Sequence, residues 1–336
     1  MNILNKYVET FRSHRDLDKA DAESFLDALI EETDEVLLAD VFRAWNEKDI
    51  AEEEIYEIAR IMRSRCTRVA TKHETFVDIV GTGGSRSKTF NVSTAAAFVA
   101  AGAGVPVAKH GNKAATSNSG SADVLSALGI EPSVDAETAG RCLDDIGICF
   151  MFAPNFHRLS PTLAKVRRGL GFPTIFNCVG PLCNPAGAPH QLVGVWTDEL
   201  VPRMARALAR LGTKRSWVVH GSGGLDEISL NGSTLVAEVD GGSVRTFELL
   251  VPNNSYASNG IHAGSAQQSA ELIRSVLEGV HQGKAAEAIV VTNAAAALYL
   301  SGTTSNIDDG YRIAAEAIQS GTALEKLNQL ASAVNK

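Results

Sequence analysis

The stretch Asp78-Ile-Val-Gly-Thr-Gly-Gly-Ser-Arg-Ser-Lys-Thr-Phe-Asn-Val-Ser-Thr94 decides how this chain is read. Residues 75–80 are a short β-branched apolar run that stops at glycine, the pattern of a buried parallel strand ending at a ligand-facing edge. Gly81, Gly83 and Gly84 permit positive φ and close backbone approach, while Asn91, Ser93 and Thr94 open a helix continued by residues 95–101. Unpaired amides at that helix start, together with the positive end of its dipole, suit a phosphate or pyrophosphate. An ordinary glycine turn with an Asn or Ser cap also fits this loop taken alone. The next loop narrows the choice. Residues 105–108 form another short apolar run, which delivers Lys109, His110, Asn112 and Lys113 into a polar stretch closed by Ser117, Ser119, Gly120 and Ser121 before a helix over 122–128. Two strand-to-helix turns rich in small donors, one carrying two lysines, describe a two-walled anion site.

The chain has 336 residues, enough for a large core and about two domains. A hydrophobic content of 45% with 21% charged residues is that of a soluble globular protein. No cationic apolar leader and no apolar run of spanning length is present, so the cytoplasm is the expected compartment. A formal net charge of −8 argues against general nucleic-acid binding, and any anion must be met by local donors. Cys66, Cys142, Cys149, Cys178 and Cys183 are odd in number and lack a Cys-x-x-Cys pair, so they are read as buried apolar residues rather than a disulfide or zinc framework.

Residues 1–70 show only helical periods. Leu4, Val8 and Phe11 share a face, as do Phe25, Leu26 and Leu29, then Val36, Leu37, Val41 and Trp45, then Ile55, Ile58, Ala59 and Met62. The acidic run 52–54 is expected to be a solvated first turn. From residue 75 short apolar runs at 75–80, 105–108, 148–152, 191–196 and 216–220 alternate with helical periods, notably 199–211. That alternation predicts α/β architecture: a small N-terminal helical domain (1–70) and a large α/β domain (71–336) with a mainly parallel central sheet surrounded by helices. Residues 233–239 and 245–250, joined through Gly241-Gly242, read as an added hairpin, and 267–277, 285–300 and 307–318 as closing helices.

Gly81-Thr-Gly-Gly84, Asn91-Val-Ser-Thr94 and Lys109-His-Gly-Asn112 through Ser119-Gly-Ser-Ala-Asp123 closely resemble the signature of the anthranilate phosphoribosyltransferases of tryptophan biosynthesis. The resemblance continues through Phe152-Ala-Pro154, Val166-Arg-Arg168, Phe176-Asn177, Gly180-Pro-Leu182, Asn184-Pro-Ala186, Asp226-Glu227 and residues 323–330. It implies transfer of a phosphoribosyl group from phosphoribosyl pyrophosphate to the amine of anthranilate, with Mg²⁺ as cofactor and a homodimer formed through the helical domain. It implies a donor site from Gly81, Gly83, Gly84, Ser85, Thr89, Asn91, Val92, Ser93 and Thr94 on one wall. Lys109, His110, Gly111, Asn112, Lys113, Ala114, Ala115, Thr116, Ser117 and Ser121 supply the other. Gly81, Asn112 and Arg167 are the implied anthranilate-binding residues, ungapped counting from Asn112 favouring Arg167 over Arg168. Asp226 and Glu227 are the implied metal ligands, with Ser93 at a second ion. As an isolated pair, the two carboxylates would read as a solvated loop.

No nucleophile or base is assigned; His110 and His157 are read as structural hydrogen-bonders or pocket walls. The chain departs from the resembled pattern at Ser85, where aspartate is usual, at Lys113, where arginine is usual, and in segments 157–163 and 263–270. A pyrimidine nucleoside phosphorylase shares a similar glycine loop, faintly echoed by Lys88-Thr89, and a phosphate-dependent nucleoside cleavage assay would reveal it. A non-enzymatic nucleic-acid-binding homologue would show a basic groove and salt-dependent binding.

Overall fold

The computed structural model describes residues 2–83, 89–114, 119–251 and 260–335. Helices α1 (Ile3–Arg12), α2 (Ala22–Glu31), α3 (Glu35–Glu47) and α4 (Glu52–Arg65) come first. The strands are β1 (Val77–Gly81), β2 (Val107–Gly111), β3 (Ile148–Phe152), β4 (His190–Gly194), β5 (Arg215–Gly221), β6 (Ser233–Asp240) and β7 (Ser243–Leu250). Between β1 and β5 lie α5 (Val92–Gly102), α6 (Ser121–Ala127), α7 (Ala136–Ile146), α8 (Ala153–Phe156), α9 (Pro161–Gly169), α10 (Ile175–Leu182) and α11 (Leu200–Arg210). The chain closes with α12 (Ala266–Leu277), α13 (Ala285–Leu300), α14 (Ile307–Gln319) and α15 (Thr322–Val334).

Among the described residues the seven strands form one sheet in the order β3-β2-β1-β4-β5-β6-β7. The first five are parallel, and β6 and β7 add an antiparallel hairpin. Its turn places Gly241 and Gly242 at φ 54° and 89°, a two-residue connection that needs positive φ at both positions. Side-chain alternation with period two divides the core. Ile79, Leu192, Trp217 and Val219 pack with α5 and the closing helices, while Val80, Val193, Val218 and Ala237 pack with α10, α11 and the N-terminal helices. The sheet is therefore covered on both faces, as a parallel sheet requires.

The N-terminal helices close on an aromatic nest. Trp45 stacks on Phe11 at 5.0 Å, and Phe25 meets both rings edge-on at 5.4 and 5.8 Å. Pairs of this geometry add about 0.5–1.5 kcal/mol each beyond their burial. On α3 the inward face is Leu38, Val41, Phe42 and Trp45, whereas Val36 is 70% exposed. The expected face began two residues early; Asp34 caps the helix through Val36 N and Leu37 N, and the spacing 38-41-42-45 carries the buried stripe.

The acidic start of α4 also differs from expectation. Glu54 is buried, not solvated: its carboxylate accepts from Leu17 N and Ala51 N, and from Lys48 Nζ at 2.8 Å. Glu52 and Glu53 pair with Arg206 and Arg210, and Asp49 with Arg203, so a ladder of half-exposed ion pairs ties the α4 end to α11. Such rungs contribute about 1 kcal/mol or less each. The Lys48–Glu54 pair is different because neither side chain is exposed. We expect Lys48→Met to lower the unfolding free energy by about 3 kcal/mol, since it strands a buried carboxylate. Glu52→Gln is expected to lower it by under ~1 kcal/mol. Urea denaturation compares the two, and equal effects would contradict the burial argument.

Candidate active site

From β1 the chain builds β2 and β3 on one side, then returns to place β4 and β5 on the other. The carboxyl ends of β1 and β4 therefore border the crevice where open α/β sheets bind ligands. Their register pairs Gly81 with Gly194. The loop after β5 brings Asp226 back across both ends: a methyl group on Gly194 would overlap the Asp226 carbonyl, and one on Gly81 would stand 3.0 Å from Asp226 Oδ2. Gly221, closing β5, lies under the Glu227 carbonyl in the same way. Glycine at three strand ends is what admits the acidic pair to the crevice.

The crevice is a cleft of about 220 Å³ into which both sequence-predicted walls turn. Lys109, on β2, is buried at its floor; Nζ donates to Ile79 O at 2.5 Å and to Ser93 Oγ at 3.3 Å. Behind it Asp78 is fully buried and accepts from His110 N at 3.1 Å and Asn184 Nδ2 at 2.8 Å. Burial disfavours both charges. It pushes the Asp78 carboxyl up to about 6 and the Lys109 ammonium down to about 8, each opposed by the other's charge. The arrangement presents one fixed positive group beside the α5 N-terminus.

Glu227 shows the opposite electrostatic condition. Its Oε2 is buried with no hydrogen-bond donor among the described residues, and Oε1 is 3.5 Å from Thr89 Oγ1. Burial and the adjacent Asp226 carboxylate push Glu227 well above the ordinary carboxylate range. A cation would relieve that strain. Two carboxylates without a third His, Cys, Asp or Glu among the described residues leave coordination positions for other oxygens, which matches a hard divalent ion shared with a phosphate.

Arg167 lies in the last turn of α9, whose start Ser160 caps through Leu163 N at 3.1 Å. Its guanidinium sits 4.8 Å over the Phe176 ring, and its buried Nε has no hydrogen-bond partner among the described residues. Burial pulls the group down to about 10, still cationic at neutral pH. Phe176 in turn meets Phe42 of α3 edge-on at 6.1 Å, and Lys165 pairs with Glu35 at 2.5 Å, so α9 and its aromatic backing lean on the N-terminal helices. Arg168 is exposed and does not line the cleft. His110 and His157 pack ring to ring at 5.1 Å, and burial pulls both below the ordinary imidazole range, His157 to about 4. Both are neutral at pH 7.

The sequence-predicted residues Gly81, Gly83, Thr89, Asn91, Ser93, Lys109, His110, Gly111, Asn112, Lys113, Ala114, Ser121, Arg167, Asp226 and Glu227 all line this one cleft. Val92 and Thr94 do not; on a helix opening at Asn91 these positions turn into the core, where both are buried. Gly84, Ser85, Ala115, Thr116 and Ser117 lie outside the described residues. Sequence reasoning missed Gly194, which lies inside the apolar run 191–196 with Val195 and Trp196 following it. It named Asn177 within the resembled motif but gave it no role; the Asn177 Nδ2 donates to Thr82 O at 3.0 Å and its Oδ1 accepts Thr174 N, fixing α10 against the glycine loop. All five cysteines are buried, and burial raises the Cys149 thiol far from reactivity.

Residues 73–324 match the sequence profile of the glycosyl transferase family a/b domain. An anthranilate phosphoribosyltransferase of Pelotomaculum thermopropionicum is 47% identical over 297 residues, 87% of this chain and 85% of its own length. The enzyme of the same name from Laribacter hongkongensis is 46% identical over 287 residues, 84% of this chain and 83% of its own. The crystal structure of anthranilate phosphoribosyltransferase from Thermus thermophilus matches with a TM-score of 0.88 at 34% identity, covering 100% of both chains. The Saccharomyces cerevisiae enzyme, solved in complex with PRPP and Mg, matches with a TM-score of 0.87 at 30% identity over 99% of this chain and 98% of its own.

The close approach at Gly194 is testable by itself. Gly194→Ala should destabilise the protein by about 1–3 kcal/mol through overpacking. Gly169→Ala, on an exposed helical position with nothing in a new methyl's way, should be neutral or stabilising by up to ~1 kcal/mol. Thermal denaturation of the two variants distinguishes them, and a neutral Gly194→Ala would mean that Asp226 is not held over the strand end.

Proposed function

The chain belongs to the anthranilate phosphoribosyltransferase family, and we propose that it transfers the phosphoribosyl group of phosphoribosyl pyrophosphate to the amine of anthranilate, releasing pyrophosphate. The observation that carries this reading is a single cleft joining a buried lysine and a helix start, a carboxylate pair in which Glu227 Oε2 has no donor among the described residues, and an aromatic-backed arginine whose Nε has no acceptor among them. The first group suits the pyrophosphate of the donor, the second a divalent ion, and the third the carboxylate of the acceptor.

Breaking the bond between ribose C1 and pyrophosphate develops negative charge on the leaving group. Lys109 is already fixed by Ile79 O and Ser93 Oγ, so its charge needs no reorganisation as that charge grows. The donor-binding assignment extends along both loops, to Gly84 and Ser85 on the first and to Ala115, Thr116 and Ser117 on the second. Asp226 and Glu227 would hold Mg²⁺, with Ser93 proposed at a second ion, and the metal would supply neutralisation of pyrophosphate charge. Arg167 can grip a carboxylate through two parallel hydrogen bonds, with Gly81 and Asn112 lining the same acceptor site. An aromatic amine is largely unprotonated at neutral pH, so the acceptor needs orientation rather than a base. The neutral state of His110 and His157 is consistent with that.

The same reading assigns residues 1–70 to a helical unit that carries a homodimer contact and residues 71–336 to the catalytic unit, with the enzyme acting in the cytoplasm in tryptophan biosynthesis. Val36, exposed on α3, supports a partner-facing role for the helical layer.

Loss of anthranilate fluorescence on mixing the protein with phosphoribosyl pyrophosphate and Mg²⁺ tests the reading, with chelator and no-donor controls. Loss that requires both donor and Mg²⁺ is expected; no loss from folded protein would contradict anthranilate as acceptor. In the same assay Asp226→Asn with Glu227→Gln should lower turnover by about 100-fold or more while the fold survives. Arg167→Lys should raise the KM for anthranilate at least about tenfold with little change in the donor KM, a lost charge-assisted bond being of that size. Unchanged constants would reject the respective assignments.

A further inference from the structure

Asn91 stands at the N-cap of α5 yet makes no capping bond to its own helix. An asparagine there ordinarily accepts from an amide of the first turn. Its Oδ1 accepts instead from Ser269 Oγ and from Ser119 Oγ, each at 2.9 Å. A carboxamide oxygen has two lone pairs, and both are taken. Ser269 also accepts from Asn91 N at 2.9 Å, so the two residues are bonded reciprocally. Ser269 belongs to α12, is fully buried, and is remote from Asn91 in sequence. The segment leading into α12 is tied to the same place, by Phe90 N donating to Ile261 O at 2.8 Å and by the Thr89–His262 bridge.

We propose that Ser269 is a positioning residue of the donor site: it holds the Asn91 carboxamide off the helix start and in place to accept from Ser119, the bond that ties the two anion-binding walls together. The inference rests on reading the α5 N-terminus as the phosphoribosyl pyrophosphate site. Val92 N donates to Phe90 O at 2.6 Å and Thr94 N to Asn91 O at 3.0 Å, so with the Asn91 side chain held away Ser93 N is the first-turn amide left without a backbone acceptor among the described residues, beside the cleft that Ser93 lines. Ser119 precedes Ser121 on the second wall, so the Asn91 carboxamide oxygen joins the two loops and the buried Ser269 hydroxyl anchors that oxygen. Segment 263–270 lies apart from the glycine loop and the lysine loop in sequence, which is why no local motif announces it.

The test compares steady-state constants of the full chain with phosphoribosyl pyrophosphate, Mg²⁺ and anthranilate. Ser269→Ala removes both bonds to Asn91 and should raise the donor KM about fivefold to tenfold, leaving the anthranilate KM within about twofold. In an Asn91→Ala background the same substitution should change the donor KM less than about twofold, because the coupled partner is gone. Ser269→Thr, which keeps the hydroxyl, should restore most of the loss. Should Ser269→Ala melt below the assay temperature, Ser269→Cys makes the same comparison, since a thiol fills the space with weaker hydrogen bonds. Equal rises in both KM values, additive effects with Asn91→Ala, or an unchanged donor KM would overturn the inference while wild-type turnover stands. Wild-type protein without donor-dependent turnover would overturn the donor-site reading and this inference with it.

Discussion

Asp226 and Glu227 cross the carboxyl ends of β1, β4 and β5 at a separation that only glycine beneath them permits. That contact fixes where the carboxylates stand, and the strand order fixes what stands around them. Because β1 and β4 are neighbours at the point where the chain reverses its direction of growth, the loops after them diverge and leave a crevice. Strand β2 brings Lys109 to the crevice floor. Helix α9, packed on the N-terminal layer, brings Arg167 into the same space.

The site is poorly satisfied by its own chain. Among the described residues a buried carboxylate oxygen without a donor, a buried guanidinium nitrogen without an acceptor and two adjacent acidic groups all disfavour the folded state, each by an amount of order 1–3 kcal/mol. The rest of the molecule offsets this through an apolar core on both sheet faces and through polar groups that are fully engaged, such as Asp78 with Asn184 and Glu54 with Lys48. The contrast separates the two kinds of buried charge. Asp78 and Glu54 hold the frame, whereas Glu227 Oε2 and Arg167 Nε, without hydrogen-bond partners among the described residues, belong to the cleft, where cation and carboxylate would complete them.

Much of the frame was legible because its signals are local. Alternation of short apolar runs with helical periods located β1 to β5, and residues 148–152 and 285–300 coincide with β3 and α13. The Gly241-Gly242 turn announced its hairpin through the positive φ it demands. Local signals failed where tertiary neighbours decide. The stripe of α3 begins at Leu38 rather than Val36 because the capping turn occupies the first positions, and Glu54 is buried because Lys48 and two loop amides reach it from outside the helix. In the site, counting from Asn112 favours Arg167 over Arg168, and Arg167 is the one that lines the cleft, with Phe176 beneath it. Val92 and Thr94 belong to the recognisable motif, but helical geometry turns them into the core. Ser269 and Gly194 act through contacts across long sequence separations and left only faint traces.

The central claim is that one cleft breaks the donor's bond to pyrophosphate only when an aromatic amine is present to take the ribose. Following phosphoribosyl pyrophosphate by ³¹P NMR with Mg²⁺ and the purified chain tests it most directly. The account requires the donor resonances to convert to pyrophosphate and one phosphoribosyl product in equal amounts when anthranilate is added, and to persist without it. Resonances that persist with anthranilate present, alongside phosphate-dependent cleavage of a pyrimidine nucleoside, would contradict it.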